Sequence, residues 1–437
     1  MTVELPGAAT ERATAELLDS RDPLASFRSE FFHADPDQCY LDGNSLGKLP
    51  LATRDSVASF VTKEWGTELV EGWGHWIDEA QVAGDLLASA SLGTGPGQTL
   101  VCDTTSMNFY QLAIAAIRSR PDRKIVIIDS ANFPTDRYIL EGIATDLGLT
   151  LITLDTDGQG GPGAVLVSVE NERVTAEALA PYLSDDVALV TLQAINYRSG
   201  ARSELAEIQA AVTAVGAHML WDCSHAGGAI DLDFDGNMIT LAVGCTYKYG
   251  NSGPGSPAWL FVRSEVQQEL QVPIKGWFAQ EDQFLMGPWF EKARGIRGFQ
   301  VASPSIVGIR GVQASYEMIQ RAGIAKIEKK AALGTELMIQ LVDAWLAPHG
   351  FSLGTPREAS HRGGHIIIRH PEAATIALAL RQLANVVPDY RAPDAIRLAI
   401  SPLPTSYVEV WDGFDRLRSL MESGAYREVA LQETRVT

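Results

Sequence analysis

Residues 218–228 read HMLWDCSHAGG, an apolar run that ends on the carboxylate of Asp222, with His225 three positions on and two glycines behind it. A short apolar run closed by turn residues reads as a strand of a buried sheet. A carboxylate at the end of such a strand is costly to bury unless something pairs with it. A second run, MITLAVGCTYK (238–248), follows after room for a loop or helix and ends at Lys248, between Tyr247 and Tyr249. Taken alone, CTYKYGNSGPG (245–255) reads as a solvated lysine ahead of a glycine-rich turn. Beside Asp222 it reads differently, because an acid at one strand end and a lysine at the next suit a pyridoxal phosphate site. There the acid keeps a pyridine nitrogen protonated and the lysine holds an aldehyde as an imine.

Outward from this pair, apolar runs alternate with segments of helical period: KIVIID (124–129), LTLITLD (149–155), VALVTLQ (187–193) and PAWLFV (257–262). This alternation predicts an α/β fold with a largely parallel sheet covered by helices. Sites in such folds collect at the carboxyl ends of the strands. The polar motifs DTTSMN, SANFPTDRY and NYRSG each follow an apolar run, as DCSHAGG does. From about residue 310 the pattern changes to long helical stretches followed by the strand-like HIIIRH and AIRLAISPL, which predicts a smaller α+β domain. The expected division is an N-terminal segment 1–44 joining the small domain, a large cofactor-binding domain 45–309 and a C-terminal small domain 310–437.

Composition narrows the function classes. The chain has 437 residues, 46% hydrophobic and 20% charged, with a formal charge of −19. This is an ordinary globular balance, and the acidity disfavours nonspecific attraction to nucleic acid or an anionic membrane. No apolar run reaches membrane-spanning length and the N-terminus lacks a signal-like succession, so the expectation is a cytoplasmic protein. The four cysteines, at 39, 102, 223 and 245, form no Cys-x-x-Cys pair, which argues against structural zinc. His361 and His365 have the spacing of a helical metal pair, but Gly363 and Gly364 between them disfavour a helix, so no metal is expected. The glycines of SLGTGPGQTLV (91–101) precede a strand instead of following one, and read as a turn, not a dinucleotide loop. The better phosphate candidate is Thr104-Thr105-Ser106, at a strand end just before a helical period, although plain N-capping explains the same letters. Phe133 is a candidate to stack on the ring.

Together YLDGNSLG (40–47), NFPTDRY (132–138), NYRSG (196–200), WDCSHAGGAIDLD (221–233), YKYGNSGPGSPAWLFV (247–262), GWF (276–278), GIRGF (295–299) and RGGHIIIRHP (362–371) resemble kynureninase. The resemblance runs from about residue 38 to 415. It implies a pyridoxal 5'-phosphate enzyme of the aspartate-aminotransferase-like fold, fold type I, hydrolysing the Cβ–Cγ bond of L-kynurenine, 3-hydroxykynurenine or a related γ-keto amino acid. The products would be anthranilate, or its analogue, and L-alanine. Carried onto matching positions, the resemblance makes Lys248 the covalent anchor and Asp222 the pyridinium partner, with Asp136 and His225 near the ring and Phe133 stacked on it. Thr105, Ser106 and Tyr247 would hold the phosphate, with Tyr247 also moving protons. Arg397 would grip the substrate carboxylate, and Ser45 and Trp73 would line the substrate, although Trp73 also sits with Trp65 and Trp76 at helical spacing. The site would be completed across a homodimer by Trp277 and Ser303.

The chain departs from the family at Ala279-Gln280, where Gly-His is usual, at Ala201–Leu205, where a His-Asp pair is common, and at Ala302-Ser303. These positions bear on the substrate's distal group. The competing readings are a lyase, desulfurase or aminotransferase on the same fold, and a non-catalytic binding protein.

Overall fold

The computed structural model describes residues 3–161 and 163–430. Its centre is an eight-stranded sheet in the order Thr99–Val101, Trp259–Val262, Leu241–Gly244, His218–Asp222, Val187–Gln193, Ile125–Asp129, Thr150–Asp155 and Val165–Leu166. Every pairing is parallel except the two made by Trp259–Val262, which runs against both neighbours. The central strands are buried on both faces, which is why Val187–Gln193 and His218–Asp222 read as continuous apolar runs rather than alternating ones. Helices Thr105–Arg118 and Pro134–Leu147 follow the strands that precede them, and their first turns lie at the carboxyl edge of the sheet.

A second, four-stranded antiparallel sheet has the order Ser352–Leu353, His365–Arg369, Ala395–Ala399 and Asp389–Arg391. Its core takes in Ala9, Ala15, Leu18, Cys39 and Leu41 from the N-terminal segment as well as Leu337, Met338, Ile339 and Leu341 and the buried face of helix Tyr407–Ser423. The expected division at residue 310 is not where the packing changes hands. Helix Ile306–Ala322 buries Ile309, Val312, Tyr316 and Ile319 in the larger core, each burial contributing roughly 1.5–3 kcal/mol. Core membership changes within the next helix, Ile324–Leu341, where Ile327 belongs to the large core and Leu337 to the small one. Apolar periodicity runs unbroken across both helices, so it could not mark that change. The glycines of SLGTGPG lie in the connection before Thr99–Val101, as a turn should. No described helix is long and apolar enough to cross a membrane.

Candidate active site

A cavity of ≈ 210 Å³ opens at the carboxyl edge of the large sheet, lined by Thr104, Thr105, Ser106, Phe133, Thr135, Asp136, Asp222, Ser224, His225, Tyr247 and Lys248, among others. Local folding puts each group there. Asp222 ends its strand, and its Oδ1 accepts the backbone N–H of Ser224 at 2.9 Å, which turns the chain and brings His225 back over the strand end. Lys248 follows strand Leu241–Gly244, in the loop held by Gly47, whose N–H donates to the carbonyl of Tyr247 at 2.8 Å. A Cβ on Gly47 would stand 2.5 Å from the carbonyl oxygen of Lys248, so the motif YLDGNSLG is a backbone clamp on the lysine loop. Beyond the lysine, Gly253 and Gly255 take φ of +103° and +73°, left-handed backbone that lets the chain turn away.

Lys248 donates from Nζ to Nε2 of His225 at 2.8 Å. Burial, then the charge of Lys248, holds the His225 imidazole well below its ordinary pKa. It is therefore neutral and able to accept this bond. Burial likewise lowers the pKa of Lys248, while Cys245 and Asp222 oppose the shift. Asp136 is pushed far up, first by burial and then by the nearby Asp222, and its Oδ2 is buried with no protein partner. Two carboxyls thus share one cavity with the lysine. Tyr247 is held protonated by the neighbouring Cys245 and by burial.

The N-terminus of helix Thr105–Arg118 divides its labour. Thr104 takes the capping role, accepting from the N–H of Met107 at 3.3 Å, which leaves the hydroxyls of Thr105 and Ser106 facing the cavity at a helix N-terminus suited to a phosphate. Phe133 precedes helix Pro134–Leu147, keeps 37% of its surface exposed, and has its ring centroid 5.8 Å from Lys248 Nζ. The residues present fit pyridoxal phosphate: an amine for its aldehyde, a strand-end carboxylate for its ring nitrogen, an open aromatic face, and a helix terminus for its phosphate.

Arg397 and Ser45 lie beside this cavity. Arg397 is 1% exposed, donates from Nη2 to Ser45 Oγ at 2.7 Å, and is near enough for its charge to act on both Lys248 and His225. Trp73, Trp277 and Ser303 are elsewhere within the chain. Trp73 and Ser303 line an open apolar groove of ≈ 530 Å³ with Phe60, Trp65, Leu69 and Val70. Trp277 joins them through Phe278, its ring 4.5 Å from that residue, which is in turn 6.1 Å from Trp73. Sequence reasoning passed over Tyr197, which meets Phe133 edge-on at 5.4 Å, although its motif NYRSG follows a strand end and could have singled it out. It also passed over His365 as anything but a metal candidate. The pair His361/His365 separates, His361 ending a short 3-10 turn and His365 starting a strand with its ring 5.4 Å from that of His225.

Among solved structures, a C-DES mutant with glycine covalently linked to the PLP cofactor superposes with a TM-score of 0.74 at 17% identity, covering 88% of this chain and 97% of that one. The apo cysteine desulfurase of Thermococcus onnurineus NA1 gives 0.74 at 15% identity, covering 97% and 99%. The fold and the cavity define a pyridoxal phosphate enzyme of fold type I. Kynureninase of Pseudomonas fluorescens is 33% identical over 432 residues, covering 97% of this chain and 98% of that protein. Kynureninase of Burkholderia pseudomallei strain 1106a is 32% identical over 422 residues, covering 95% and 97%. A family profile described as the Kynureninase C-terminal domain matches residues 327–417. The chain belongs to the kynureninase family.

Proposed function

We propose that this protein hydrolyses the Cβ–Cγ bond of L-kynurenine, 3-hydroxykynurenine or a closely related γ-keto amino acid, releasing anthranilate or its analogue and L-alanine. The observation that carries this reading is Lys248 bonded to neutral His225 in one cavity with the carboxyls of Asp222 and Asp136 and with a helix N-terminus. Bound pyridoxal phosphate supplies an electron sink for the substrate's α-carbon.

The chain's own residues do the rest. Lys248 anchors the cofactor and moves the proton at the α-carbon, for which a lowered pKa suits it. Asp222 would hold the ring nitrogen protonated, Phe133 would stack on the ring with His225 close by, and Thr105 and Ser106 would hold the phosphate. Tyr247 contacts the phosphate and, remaining protonated, has a proton to deliver as the electron pair of the breaking bond settles on the β-carbon. Water adds to the γ-carbonyl, so the acyl fragment leaves as a carboxylate. Arg397, with Ser45 beside it, binds the substrate's α-carboxylate.

The protein acts as a cytoplasmic homodimer in this reading. Trp277 and Ser303 reach the partner's cofactor, and Trp73 lines the distal end of a substrate pocket. The exposed apolar groove that holds Trp73 and Ser303 supports that arrangement, since large exposed apolar patches mark interaction surfaces. Desulfurase chemistry is disfavoured because it needs a mobile, accessible thiol, and all four cysteines are buried.

The test is a substrate panel read by anthranilate fluorescence with no added keto acid. Release from kynurenine or hydroxykynurenine is the expected result. Cofactor bound but both substrates inert would overturn the substrate assignment, and turnover only with an added α-keto acid would make the enzyme an aminotransferase.

A further inference from the structure

Arg397 is a cation buried to 1% exposure, and the question is what holds its guanidinium in place. Strand Asp389–Arg391 runs antiparallel to Ala395–Ala399, and the register sets Asp389 directly opposite Arg397. Directly opposed residues share a face of the sheet, so their side chains meet. Asp389, itself buried, forms an ion pair with Arg397, its Oδ2 2.6 Å from Nη2, and the same oxygen accepts a hydrogen bond from Arg391 Nε at 2.8 Å. Ser45 Oγ and the carbonyl of Tyr197 take further Arg397 N–H groups. Arg397 Nε, buried, has no protein partner.

We infer that Asp389 is a positioning residue that fixes the guanidinium of Arg397 for the substrate carboxylate, with Arg391 keeping the cluster positively charged. The charge count explains why both are needed. Asp389 alone would neutralise Arg397 and remove its attraction for an anion. With Arg391 on the same oxygen and Arg381 4.0 Å from the neighbouring Asp42, three guanidiniums stand against two carboxyls, so the cluster keeps one net positive charge while its geometry is locked. Without Asp389 the carboxyl of Asp42, whose charge also acts on Arg397, would compete for the guanidinium and draw it out of place. A misplaced guanidinium loses most of its preference for a carboxylate.

The inference rests on the reading of Arg397 as the carboxylate-binding residue, and the experiment separates the two. In the Asp389→Asn holoenzyme, KM for the amino acid substrate should rise roughly ten- to a hundredfold, with kcat changed by less than about threefold. The inhibition constant of the corresponding amine, which lacks the α-carboxylate, should stay within about twofold of the parent enzyme. An unchanged KM, or KM and the amine constant rising together, overturns the inference, the second pattern being that of general damage to the fold. The control is Arg397→Lys: if it leaves KM unchanged, the carboxylate assignment of Arg397 itself falls. If Asp389→Asn does not fold, Arg391→Gln is measured in the same way. A KM increase confined to the carboxylated substrate supports the arrangement, and an unchanged KM overturns it.

Discussion

The two concavities of this chain are opposites. The cavity around Lys248 is small and polar, with its charged groups held between strand ends and helix termini. The groove around Trp65, Trp73 and Ser303 is larger and apolar, with Trp65, Leu69 and Val70 exposed at 54%, 63% and 77%. A sheet edge can fix polar groups against each other within one chain, because backbone hydrogen bonds set their positions. An open aromatic surface gains most of its stabilisation only when something covers it. In the proposed enzyme the first does the chemistry, and the second is finished by a partner subunit.

The largest expected effect breaks the first region alone. Lys248→Ala should lower turnover by about 10³-fold or more and abolish the borohydride-fixed cofactor adduct that mass spectrometry detects in the parent. An adduct that persists would place the anchor elsewhere. The next experiment joins the regions: Lys248→Ala and Trp277→Ala chains, each inactive alone, are refolded together. A shared site predicts recovered activity, because a mixed dimer contains one site with both residues intact, whereas no recovery means that each chain works independently. Trp65→Asp should likewise shift the protein toward monomer in sedimentation, with activity falling in step.

A smaller effect lies under the polar cavity. Burial pushes the Asp129 carboxyl up to about 7 from an ordinary 3.8, against the favourable bond from Asn132. The folded state therefore holds the proton more tightly than the unfolded chain. That contribution is complete below about 3.8 and is lost as pH rises through about 7, a difference on the order of 2–4 kcal/mol. Asp129→Asn keeps an acceptor for Asn132 without a charge, so its melting temperature relative to the parent should climb between pH 4 and pH 7, ranges set by the same shift. A pH-independent difference would mean that Asp129 ionises freely in the folded state.

The smallest effect compares the two helix caps that open onto these regions. Thr104 accepts from Met107 N–H beside the cavity, and Ser305 accepts from Gly308 N–H beside the groove. Replacing either with alanine should cost about 1 kcal/mol in denaturant titration. Only Thr104→Ala should also speed cofactor loss on dialysis, since only that terminus lines the cavity proposed to take the phosphate.

Much of the polar cavity was legible because its signals are local. A carboxylate closing an apolar run, a lysine closing the next, and hydroxyls before a helical period all announce strand and helix ends, and Asp222, Lys248 and Thr105 lie where those ends lead. Other groups were illegible for the opposite reason. His365 and Asp389 belong to the small sheet, far along the chain, and nothing in HRGGH or PDYRAP says that one ring will meet His225 or that the other side chain will hold Arg397. The helical period from about residue 310 onward likewise gave no sign of which core each helix would join.

The sequence by itself determined the order of strands and helices and the chemistry of their ends, because hydrophobic period and capping act over a few residues. Tertiary structure decided which ends meet. It closed Gly47 onto the lysine loop, set Asp389 opposite Arg397 through strand register, and separated Trp73, Trp277 and Ser303 from the cavity within one chain. Such contacts depend on packing between segments distant along the chain, which no local pattern encodes.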